Sequence, residues 1–75
     1  MRENKQIELE EIKNPVEREI LLLIDENKQC LYGEIIRKLE LSYTKGQELI
    51  YSLLTKGYIK YVERTPKLEL TVDIH

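Results

Sequence analysis

The sequence predicts an α+β fold: three helices followed by a two-stranded β-hairpin, with a short strand able to form before the second helix. Three observations predict it. The stretch LSYTKGQELIYSLLTKGYI, residues 41–59, carries a capping serine, apolar residues at helical spacing and a Lys-Gly stop. Two runs after it alternate apolar and polar residues, as half-buried strands do. Between those runs stands Arg64-Thr65-Pro66-Lys67, where proline forbids strand and fits a tight connection.

Taken in order, residues 1–13 have no clear period. Ile7 and Leu9 alternate like a strand, whereas Leu9 and Ile12 are spaced like a helix. They read as an arm, either frayed or ordered by a partner, ahead of a domain over 14–75. The first helix is expected over Pro15–Asn27. Asn14 is a good N-cap, Pro15 suits the first turn, and Glu17 stands where a carboxylate can reach back to the cap. Asn27 is a reasonable left-handed stop. Val16, Ile20, Leu23 and Ile24 form the core stripe, with Leu21 and Leu22 to either side of it. Two readings account for that surplus. The arm folds over it, or Ile7, Leu9, Ile12, Leu21 and Leu22 form the seam of a homodimer.

Residues 29–32 make a short link that can take one extended strand. The second helix follows over 33–39, with Ile35, Ile36 and Leu39 apolar, and Glu40-Leu41-Ser42 turns the chain. Ser42 or Thr44 caps the third helix, which runs to Lys56. Gly46, Leu49, Ile50, Leu53 and Leu54 form its buried side. A glycine there costs roughly 1 kcal/mol of helix propensity unless close packing requires it. Gly57 supplies the left-handed position after the helix, and Lys56 complements its dipole. Strands are expected over 58–63 and 68–74, the second with Leu68, Leu70, Val72 and Ile74 on one core-facing side.

Composition narrows the function classes. At 75 residues the chain makes one domain with a marginal core. Its single cysteine, Cys30, excludes an internal disulfide and fits a reducing compartment. No apolar run approaches a membrane span, and the acidic, broken amino terminus does not read as a signal peptide, so a cytoplasmic domain is expected. Catalysis is not expected. The only histidine is His75 at the very end, Cys30 has no base near it in sequence, and there is no phosphate loop, zinc-type spacing or nucleophile elbow. Glu10-Glu11 and Asp25-Glu26 read as solvated helix ends. No cofactor, metal or small-molecule effector is suggested. The net charge of −2 is unevenly spread, −3 over residues 1–29 and +1 over residues 30–75. Any affinity for nucleic acid must then rest on a few placed cations.

The run GEIIRKLELSYTKGQELIYSLLTKGYIKYV resembles the winged helix-turn-helix domains of prokaryotic transcriptional regulators of the MarR-like and PadR-like kind. Leu41, Ser42, Leu49, Leu53, Lys56, Gly57 and Ile59 fall on that pattern, and the resemblance extends over residues 16–72. It implies a small sequence-specific regulator that binds double-stranded DNA as a homodimer, the third helix in the major groove and the hairpin as the wing. The side chains offered to bases are then Tyr43, Thr44, Lys45, Gln47 and Glu48, with Tyr51 and Ser52 further along. Gln47 can pair with adenine, Lys45 can reach guanine or phosphate, and Thr44 can touch a thymine methyl. Arg64 and Lys67 flank the hairpin tip, and Arg37 and Lys38 of the second helix can anchor phosphates. The alternative is a winged-helix protein–protein module in a multisubunit assembly. The acidic net charge, the lack of arginine on the outward face and the surplus Leu21 and Leu22 speak for it.

Overall fold

The computed structural model describes residues 5–74; residues 1–4 of the expected arm and His75 lie outside them. The described residues hold strand β1 (Lys5–Ile7), a 3-10 turn (Leu9–Glu11), helix α1 (Pro15–Asn27), β2 (Gln29–Leu31), α2 (Tyr32–Lys38), α3 (Tyr43–Lys56), β3 (Ile59–Tyr61), β4 (Lys67–Leu70) and β5 (Val72–Ile74). Three helices and a hairpin after the third are thus present, and the link before α2 is a strand.

The helix ends show which local forces set these boundaries. Asn14 Oδ1 accepts hydrogen bonds from the backbone N–H groups of Val16 and Glu17 at 2.8 and 3.3 Å, so α1 begins where the cap and Pro15 place it. Glu17 does not reach back to the cap. Its carboxylate turns instead to Lys56 at the far end of α3. Nor does Asn27 stop α1. It stays helical with its side-chain amide donating to the Leu23 carbonyl at 3.0 Å, and Lys28 takes the positive φ of 72°. Ser42 caps α3, its Oγ accepting from the Lys45 N–H at 3.1 Å.

Helices α2 and α3 end in the same way. After α3 the Tyr58 N–H donates to the Leu53 carbonyl and the Gly57 N–H to the Leu54 carbonyl, with Gly57 at φ 81°. After α2 the Leu41 N–H donates to the Ile36 carbonyl and the Glu40 N–H to the Arg37 carbonyl, with Glu40 at φ 52°. Both are Schellman motifs, one built on glycine and one on glutamate. Between them Gly46 permits the close approach of α3 to α2, since a Cβ there would lie 2.7 Å from Ile36 Cγ1. Close packing is therefore the reason for a glycine inside α3.

The strands form two sheets. In the larger, β4 is central and antiparallel to both β2 and β3, with Cys30 and Tyr61 both opposite Leu68. In the smaller, β1 runs parallel to β5, Ile7 opposite Ile74. The expected single strand over 68–74 is therefore divided. At the break the Thr71 N–H and hydroxyl donate to the carbonyls of Tyr58 and Gly57, which ties the chain to the end of α3. Leu68 and Val72 still point into the core, while Leu70 and Ile74 are half-buried against it.

The core is built from Ile20, Leu21 and Ile24 of α1, Ile35 of α2, Leu49, Ile50 and Leu53 of α3, and Cys30, Ile59, Leu68 and Val72 of the strands. Ile7 and Ile12 of the arm complete it, each 3% exposed. The described part of the arm is held against this core by its pairing with β5 and by burial of both isoleucines.

Candidate functional site

Helix α3 presents an exposed outward face. Its buried stripe of Gly46, Leu49, Ile50 and Leu53 fixes the orientation of the remaining side chains. At ~100° per residue, Thr44, Glu48, Tyr51 and Thr55 lie opposite that stripe. Tyr51 is 70% exposed there, and a shallow hollow is lined by Thr44, Gln47, Glu48 and Tyr51. Lys45 and Ser52 lie on the flank shared with Lys56, the one directed toward α1. Tyr43 and Gln47 lie on the other flank.

The cations expected to bind are not equivalent. Lys45 Nζ is 3.5 Å from the Glu48 carboxylate, and Lys38 is 4.0 Å from Glu34. Arg37, Arg64 and Lys67 are exposed and make no ion pair among the described residues. Arg64 stands at the hairpin tip with φ 65°. The tip is closed by the Val62 N–H donating to the Lys67 carbonyl, and by the Thr65 N–H and hydroxyl both donating to the Val62 carbonyl. Thr65 Oγ1 also accepts from the Lys67 N–H at 3.1 Å. These bonds hold the tip in one shape, with Arg64 and Lys67 facing solvent.

Two tyrosines that the sequence reading left out belong to this region. Tyr32, the first residue of α2, stacks on Tyr43, the first residue of α3, with ring centroids 5.8 Å apart and planes 18° from parallel. The Tyr32 hydroxyl is buried and makes no hydrogen bond among the described residues. Burial, then the neighbouring phenols of Tyr43 and Tyr61, push its pKa up. Tyr61 of β3 is thus close by, and is half exposed. A clue was present, because Tyr32 closes the short link expected before the second helix. What the sequence could not supply was the meeting of the two helix starts.

No family model, curated protein or solved structure matches the chain. The site is therefore read from its own geometry.

The residues expected at a dimer seam have separate places. Ile7, Ile12 and Leu21 are buried within the chain itself, and Leu9 is half-buried. Leu22 is 45% exposed, but at ~100° per residue its neighbours on α1 are Arg18, Glu19, Asp25 and Glu26. No helix of the described residues is long and apolar enough to cross a membrane. Nor do they contain a group of three or more His, Cys, Asp or Glu side chains able to hold a metal ion.

Proposed function

We propose that the protein is a winged helix-turn-helix domain that binds double-stranded DNA and regulates transcription. The observation that carries this reading is the open polar face of α3, followed in the chain by a hairpin whose tip offers Arg64 and Lys67, cations with no ion pair among the described residues. The strand order β2-β4-β3 and the close α2–α3 contact at Gly46 support it, because both suit a helix held outward on a small scaffold. In this reading Thr44, Gln47 and Tyr51 meet base edges, and Arg37, Arg64 and Lys67 grip phosphates. Binding as a homodimer would place two α3 helices about one helical turn of DNA apart, on the order of 34 Å.

One observation favours the rival reading, a winged-helix module that docks on another protein. The centre of the outward face carries Thr44, Glu48, Tyr51 and Thr55, with no cation of its own. The two readings part on salt. Binding to a random-sequence duplex, followed by fluorescence anisotropy, is expected at low salt and to weaken steeply as salt rises. Absence of binding at low salt would remove the DNA reading and leave the protein–protein module.

A further inference from the structure

Tyr43 is 69% exposed, yet its ring is not loose. One face lies on Tyr32, whose hydroxyl is sealed from solvent at the start of α2. The rest of the Tyr43 side chain is exposed to solvent, and Tyr61 on β3 lies near Tyr32. The result is an aromatic ledge of fixed orientation at the junction of α2, α3 and the hairpin. Such a surface suits a flat π-system as a further layer, since its ordering cost is already met by the fold.

The neighbouring charges indicate which flat ligand. Arg64 follows Tyr61 by three residues at the hairpin tip, and Lys67 on β4 is paired with Leu31, the residue before Tyr32. Neither cation has an acidic partner among the described residues. An aromatic ledge bordered by uncommitted cations is the arrangement that binds an unpaired base and its phosphate. We propose that Tyr43, backed by Tyr32, stacks an unpaired nucleobase, so that the protein prefers DNA with a single-stranded segment beside the duplex over fully paired DNA. The inference rests on the nucleic-acid reading above and names a substrate class for the same face.

The chain has five tyrosines and no tryptophan, so its intrinsic emission reports on these rings. The test compares a blunt duplex, the same duplex with a thymine overhang, and the overhang strand alone. The overhang is expected to tighten binding about tenfold and to quench tyrosine emission. Tyr43→Phe keeps the ring and should keep the gain, whereas Tyr43→Leu should abolish it. Tyr51→Leu, on the outward centre of α3, should keep the gain. Equal affinity for blunt and overhang DNA, or equal loss with Phe and Leu at position 43, would overturn the ledge while duplex binding itself survives. Failure of all three probes overturns both readings. Binding of the overhang strand alone, lost in Tyr43→Leu, upholds the ledge even where blunt duplex does not bind.

Discussion

The ammonium of Lys56 donates a hydrogen bond to Glu17 Oε1 at 3.1 Å, joining the last residue of α3 to the first turn of α1. Each partner stands at the helix end whose dipole suits its charge. The pair is lopsided in exposure, with the Glu17 side chain 7% exposed and that of Lys56 48%. Truncating the lysine therefore leaves a carboxylate in the interior without its counter-charge. Lys56→Met should lower unfolding free energy by about 1–3 kcal/mol. Glu17→Gln in the same background should recover part of it, because the uncompensated charge is then gone. Urea titrations of the double-mutant cycle measure this; strict additivity would show that the contact carries no coupling.

Gly46 presents a competition between propensity and packing. Replacement by alanine gains up to about 1 kcal/mol of helix propensity. The new Cβ would also lie 2.7 and 2.9 Å from Ile36 Cγ1 and Cδ1, contacts that force a shift. Overpacking typically costs about 1–3 kcal/mol, so Gly46→Ala should be net destabilising. In an Ile36→Ala background the obstruction is absent, and the same change should become neutral or stabilising. A reversal of sign between the two backgrounds is the expected result.

The matched Schellman ends of α2 and α3 make an internal control. Glu40 occupies at φ 52° the position that Gly57 fills at φ 81° after α3. Its backbone is strained in a way that glycine would relieve, although glycine also raises the entropy of the unfolded chain. Glu40→Gly should stabilise by about 0.5–1 kcal/mol, and Gly57→Ala should destabilise by about 1 kcal/mol or more. Thermal unfolding of both variants tests the pair.

These ends show why some of the fold was legible and some was not. Gly57 was readable because glycine announces a left-handed residue, and Asn14, Pro15 and Ser42 announce helix starts by the same local chemistry. Glu40 and Lys28 adopt positive φ with no such signal, since neither residue type favours that conformation. The arm was ambiguous for a related reason. Ile7 is a core residue because β5 returns alongside it, a contact spanning nearly the whole chain. At the candidate site, the exposed face of α3 followed from periodicity. The Tyr32–Tyr43 stack depends on how two helices meet, which periodicity does not specify.

Two buried acids make alkaline stability informative. Burial raises the pKa of the Cys30 thiol above its ordinary 9.0, helped by the charge of Glu34 and opposed by Lys38 and the Asn27 side chain. Burial and the neighbouring phenols raise Tyr32 above its ordinary 10.0. In both cases the folded state favours the neutral form. The stability they contribute is full below the unfolded pKa and is lost as pH rises through the folded one. Unfolding free energy should therefore decline from about pH 9 upward, the thiol acting first. Cys30→Val should flatten the early part of that slope, and a slope unchanged by the variant would refute the assignment to Cys30.

The cations on the proposed DNA face can be ranked by what already neutralises them. Lys45 is engaged by Glu48, whereas Arg37, Arg64 and Lys67 make no ion pair among the described residues. Each phosphate contact removed should reduce the slope of log affinity against log salt by about 0.9. Arg64→Ala and Lys67→Ala are thus expected to weaken duplex binding and flatten that slope, with Lys45→Ala having a smaller effect. Glu48→Gln should tighten binding, because it frees Lys45 and removes a carboxylate from the centre of the outward face. Were Lys45→Ala instead to dominate the salt slope, the grip would lie on the flank of α3 toward α1 and not on the hairpin.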